Sequence, residues 1–143
     1  MEVVENLAQA GIRKRVFPSW SIEIPPSFAE AFVSEGGYWH SFGEDRSVSL
    51  TSLEVTDRGR PVPARSILRQ MTPSEGNPVD VLPKGLVGWA VNADAGPSAR
   101  ASRCLTGMLA TDGHVLLATI TSDDADWALS IWRSIRSETM AVV

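Results

Sequence analysis

The chain has 143 residues, of which 43% are hydrophobic, 21% charged and 7% aromatic. That is a single-domain length with enough apolar content for a core that needs no staples, and it excludes a disordered chain, a collagen-like chain and a coiled coil. A net charge of −4 argues against nucleic acid as a partner, because phosphate binding normally draws on a basic excess.

The elements follow in chain order. Val4, Leu7, Ala8 and Gly11 stand at helical spacing and predict a short N-terminal helix. Arg13-Lys14-Arg15 reads as a solvated linker closing the first 16 residues, with the core of the single domain running over 17–137. Trp20, Ile22 and Ile24 alternate with polar neighbours, the pattern of a half-buried strand that Pro25-Pro26 then stops. Ser27–Ser34 reads as a helical turn or packed loop, ended by Gly36-Gly37. Tyr38–Phe42 is a strand with Tyr38, His40 and Phe42 on one side and Trp39 on the other, and Gly43–Arg46 is its turn. In Ser47–Val55 the apolar phase slips from Val48 and Leu50 to Leu53 and Val55, which predicts a β-bulge at Thr51-Ser52.

Asp57–Pro61 is a loop, and Pro63 opens a helix over Ala64–Met71. Thr72–Gly85 is rich in proline and glycine and reads as a long irregular connection of the kind that closes over sites. Leu86–Val91 and Arg100–Ala110 are strands, and Asp112-Gly113 marks a type I′ hairpin into His114–Thr121. That last strand is apolar on both faces, so it belongs at the centre of a sheet covered on both sides. The final helix is capped by Thr121 or Ser122, carries Asp123, Asp124 and Asp126 in its first turn, and aligns Ala128, Ile131, Trp132 and Ile135. The expected fold class is α+β: an antiparallel sheet of about six strands with helices packed on its faces.

This layout and several of its words resemble the PsbP-like fold. The words are Trp20-Ser21-Ile22-Glu23-Ile24-Pro25, Ser47-Val48-Ser49-Leu50, Gly88-Trp89-Ala90-Val91, the Asp112-Gly113 hairpin, and the stretch from Trp127 to Arg136. The resemblance spans about residues 17–137. It implies an α/β/α sandwich of bacterial type that binds another macromolecule without catalysis, and it carries over no catalytic residue.

The chemistry is sparse. No G-x-S-x-G elbow, Walker A loop or dinucleotide G-x-G-x-x-G is present. Cys104 is the one cysteine. It permits no internal disulfide, suits a reducing compartment, and its strand context reads as buried and inert. The opening Met1–Leu7 is acidic where a secretion signal is basic, and the uncharged run Val115–Ser122 is far short of the ~18–20 residues of a membrane span. The expectation is a cytoplasmic protein with no cofactor, no metal, no nucleic acid and no membrane partner. Its expected partner is another protein, and an open sheet edge would also allow a homodimer. The residues singled out for binding are Trp39, His40 and Trp127, because aromatics with a polar tip suit interfaces. The alternative is a ligand pocket or enzyme in which His40, with Glu44 or Asp45, acts as acid and base under the Thr72–Gly85 loop.

Overall fold

A computed structural model of the chain describes residues 11–33, 37–71, 77–78, 82–95 and 101–138. The expected N-terminal helix lies outside them, as does most of Thr72–Gly85. The described residues form twelve strands and two helices, and every strand pair is antiparallel. The strands are β1 (Ile12–Phe17), β2 (Trp20–Ile24), β3 (Ala29–Val33), β4 (Tyr38–Phe42), β5 (Ser47–Glu54), β6 (Thr56–Asp57), β7 (Arg60–Pro61), β8 (Asn77–Pro78), β9 (Val87–Asp94), β10 (Arg103–Thr111), β11 (His114–Thr121) and β12 (Arg136–Ser137). The helices are α1 (Ala64–Gln70) and α2 (Ala125–Arg133). The fold class is α+β. The main sheet runs β3-β4-β5-β11-β10-β9-β8, six full strands plus the two-residue β8; β1-β2-β12 make a small sheet, and β6-β7 a ribbon.

The β10–β11 hairpin is the middle of the molecule. Leu105, Leu109, Leu116 and Ile120 point to one face, where they join Trp20, Ile22 and Ile24 of β2 and Ala128, Ile131 and Trp132 of α2. Met108, Ala110 and Val115 point to the other face and meet Ile67 of α1. Trp132 is fully buried because β10 carries glycine beneath it: a Cβ on Gly107 would stand 2.4 Å from Trp132 Cη2 and 2.8 Å from the Trp89 carbonyl oxygen.

Three expectations about the strands need correction. Arg13-Lys14-Arg15 is not a linker but lies within β1, because each charge finds a partner across the fold. Arg13 donates to Ser21, Glu23 and the Ser134 carbonyl, each at 2.8 Å; Lys14 pairs with Glu30, and Arg15 with Glu138. The stretch read as a helical turn or packed loop is instead extended over Ala29–Val33, as β3, and pairs with β4. β5 carries no bulge, for its register with β11 is unbroken from Ser47 to Glu54. The phase slip is a change of face: Val48 and Leu50 serve the first core, Leu53 projects outward 41% exposed, and Val55 packs with α1.

The turns also trade roles. Gly113 takes the left-handed backbone (φ 82°) without Asp112, while Arg58 (φ 55°) and Gly59 (φ 80°) both adopt it in the β6–β7 turn, the type I′ signature. Asp112 instead accepts the Ala64 backbone N–H at 2.9 Å and serves the start of α1. Asp124, rather than Thr121 or Ser122, caps α2 by accepting from the Trp127 N–H at 3.0 Å.

Overpacking a sealed interface costs roughly 1–3 kcal/mol or more. Gly107→Ala should therefore lower unfolding stability by at least about 2 kcal/mol, measured as the urea midpoint shift at unchanged slope. An unshifted midpoint would mean that Trp132 does not seat on this strand.

Candidate functional site

The large sheet is covered unevenly. Its α2 face is sealed. On the opposite face α1 covers Met108, Ala110 and Val115, but the rows beyond them are bare of any described helix. One such row runs Ala31, His40, Ser49, Thr119, Thr106, Val91 across six strands, and the next runs Ala29, Phe42, Ser47, Thr121, Cys104, Ala93. Strand alternation brings these side chains to one surface, which is mostly small or hydroxylic apart from the aromatic row of β4.

On that row the rings stand as a stack. Tyr38 and His40 have centroids 6.4 Å apart and nearly parallel planes (9°), and His40 and Phe42 are 5.2 Å apart at 23°. Ser49 ties the row down: its Oγ lies 2.8 Å from His40 Nδ1 and accepts from the Tyr38 hydroxyl at 3.2 Å. Phe42, at the end, stays 41% exposed.

Next to Phe42 comes the Gly43–Arg46 turn, with hollows on both sides. One, of about 400 Å³, is lined by His40, Phe42, Glu44, Asp45, Ala101 and Thr121 among others. The other, of about 490 Å³, is lined by Phe28, Asp124, Asp126 and Trp127 among others, and Arg46 borders both. Arg46 lies 4.7 Å above the Trp127 ring and donates to Asp124 at 3.3 Å, and the Phe28 ring packs 5.9 Å from that of Trp127.

His40 and Trp127, far apart in sequence, thus flank one turn, and Glu44 and Asp45 border the His40 hollow. Trp39 does not join them. It is 1% exposed in the core beneath, because the alternation that turns His40 outward turns Trp39 in, and its Nε1 donates to Glu30 at 3.0 Å. Cys104 is not in the core either; it sits half-buried on the bare rows. Of the Thr72–Gly85 connection, the described Asn77–Pro78 pairs with β9 at the edge opposite β3. That is five strand spacings from β4, about 24 Å, so this part does not close over His40.

The acidic trio separates. Asp124 is the cap, Asp126 lies in the first turn of α2, and Asp123 accepts from the Ser102 backbone and hydroxyl at 2.9 and 2.8 Å. Those bonds, the hydroxyl's first, hold the Asp123 carboxyl below its ordinary range. Among the described residues no three His, Cys, Asp or Glu side chains gather to hold a metal ion. No described helix is long and apolar enough to cross a membrane. The carpet of Ser47, Ser49, Thr106, Thr119 and Thr121 escaped the sequence reading. Its signal was alternation of hydroxyls opposite core residues, legible only once the neighbouring strands are known.

Comparison with known protein families and with curated proteins finds no match to this chain.

Glu30 offers a check on how this region is held. Its carboxyl lies below the ordinary 4.5, first through the Lys14 hydrogen bond and next through Trp39, with burial opposing both. A depressed carboxylate stabilises the fold fully above its unfolded value and loses that contribution as pH falls through the folded one. The stability advantage over Glu30→Gln should therefore be complete above pH 4.5 and shrink on acidification below it. Equal pH dependence in melts of the two proteins would refute the pairing.

Proposed function

We propose that the chain is a PsbP-like α/β/α protein of the cytoplasm that works without catalysis, as a small protein-binding or adaptor module. The partner segment lies on the bare end of the large sheet, beside the Gly43–Arg46 turn. One observation carries this reading: Phe42, an end member of a stacked aromatic row, is 41% exposed next to the Arg46–Trp127 pair. Burying a ring of that size contributes roughly 1.5–3 kcal/mol, and the strand's alternation holds it out of the chain's own core. Aromatic residues and arginine are the types enriched at interface centres. The hydroxyl rows around them offer hydrogen bonds without the desolvation cost of charges.

The second reading, a pocket or enzyme using His40 with Glu44 or Asp45, draws on their sharing one hollow. Two features favour binding over it. His40 Nδ1 is engaged by Ser49 Oγ, which also accepts from the Tyr38 hydroxyl. β5 lies inside the large sheet, so its backbone amides serve the ladders and none is left as an oxyanion donor.

The test is selection from a random peptide library on immobilised protein. Wild type should enrich a defined sequence class. Phe42→Asp should lose it at an unchanged circular dichroism spectrum. His40→Ala should weaken it by about one ring contact, roughly 0.5–1.5 kcal/mol. Identical enrichment on wild type and Phe42→Asp would overturn the proposal, and so would ester or phosphoester turnover by wild type that His40→Ala abolishes.

A further inference from the structure

Another hollow lies elsewhere, a groove of about 940 Å³ between the β6–β7 ribbon and α1. Val55, Val62, Ile67 and Met71 contribute its apolar lining, and Arg58 and Arg60 stand on the ribbon side. We propose that this groove docks an acidic, apolar polypeptide segment of a partner. The inference shares with the binding-module reading only that the occupant is polypeptide; it concerns a different surface.

Charge comes first. Residues 56–71 carry Arg58, Arg60, Arg65 and Arg69 against Asp57 alone, a local charge of 4 − 1 = +3 in a chain of −4. Among the described residues, ion pairs join Arg13, Lys14, Arg15 and Arg46 to carboxylates, and none of these pairs involves the four arginines. The second argument is conformation. Arg58 occupies the left-handed region at φ 55°, at a turn position where asparagine, aspartate or glycine relieves the strain. Among the described residues no hydrogen bond, ion pair or ring contact of the Arg58 side chain offsets that cost, and a docked segment would give the guanidinium a use.

The third argument is rigidity. The ribbon is tied to the β10–β11 turn by Val62 N–H to the Val55 carbonyl, Gly113 N–H to the Val62 carbonyl and Val55 N–H to the Gly113 carbonyl, at 3.0, 2.8 and 2.9 Å. A Cβ on Gly113 would stand 2.7 Å from Pro61 Cβ, so the two turns touch. The arginines therefore sit on a fixed support, which lowers the ordering cost of binding. The groove is half open to solvent. A small molecule would stay partly wet in it, whereas an extended segment can lay apolar side chains on the floor and carboxylates against the guanidinium groups. The apolar floor favours a peptide over a sugar–phosphate chain.

The probe is a fluorescein-labelled twelve-residue peptide of glutamate, leucine and serine, with its lysine counterpart and a labelled oligothymidylate as comparisons, followed by anisotropy. The glutamate peptide should bind wild type saturably and more weakly as salt rises, and the lysine peptide should not bind. Arg58→Asn and Arg60→Gln should each weaken binding at least tenfold. Arg58→Asn should also raise the Tm by about 2–4 °C, because it relieves the backbone. A merely structural arginine would not combine a gain in stability with a loss of binding. The proposal is overturned if the glutamate peptide fails to bind at millimolar concentration. It is overturned equally if Arg58→Asn binds as wild type does or melts lower, or if oligothymidylate binds more tightly. If Phe42→Asp abolishes peptide binding and Arg58→Asn does not, the segment lies on the sheet face. The groove is then refuted while the binding-module reading stands. The converse result supports the groove.

Discussion

β10 and β11 pair from Cys104–Thr121 to Thr111–His114 and are apolar on both faces. A sheet with two apolar faces must be covered twice, and most of the remaining architecture answers to that demand. On one side the cover is ample: α2 and the small sheet bring Trp20, Ile22, Ile24, Ile131 and Trp132 down on the hairpin. Gly107 lets Trp132 reach the backbone. On the other side the described cover is α1 with Val55, Val62 and Met71 beside it.

The mismatch in length creates the candidate surface. α1 has seven residues, whereas β9, β10 and β11 have eight, nine and eight. At 1.5 Å per helical residue and about 3.3 Å per strand residue, the helix spans ~10 Å of strands ~27–30 Å long. The composition of each strand follows this cover. Where α1 lies, the side chains are Met108, Ala110 and Val115; beyond it, β10 and β11 turn to Thr106, Thr119 and Thr121. The face is polar enough to meet water, and the aromatic row on β4 is the exception that marks it.

Electrostatics divides the charged residues into two groups. Arg13, Lys14 and Arg15 are matched by Glu23, Glu30 and Glu138, so the most basic run of the chain is absorbed in holding the small sheet to its neighbours. Arg58, Arg60, Arg65 and Arg69 are matched by nothing in the described fold. Exposed pairs contribute little to stability each, so the contrast bears on where charge is available to a partner more than on what holds the fold.

Periodicity and turn chemistry were enough to place Trp20–Ile24, Tyr38–Phe42, the Asp112-Gly113 hairpin and Ala128, Ile131 and Trp132 of α2, because burial on one side stamps a local pattern on the chain; Ile135, expected on the same line, falls beyond the helix end at Arg133. Periodicity also stated the alternative for β4 correctly: Trp39 and the Tyr38–His40–Phe42 row had to face opposite ways. Which of them faced the core was not local information. It was decided when β3 and β5 closed around β4 and the Glu30 carboxylate reached the Trp39 indole. The same holds for β1, whose three basic residues read as a solvated linker until carboxylates at Glu23, Glu30 and Glu138 pair with them. It holds as well for β5, whose phase slip is one strand passing beneath two different covers. Alternation and turn chemistry are short-range and survive in the sequence. The side a strand buries, the charge that is matched and the end of a sheet left bare depend on long-range neighbours, and only the tertiary fold assigns them.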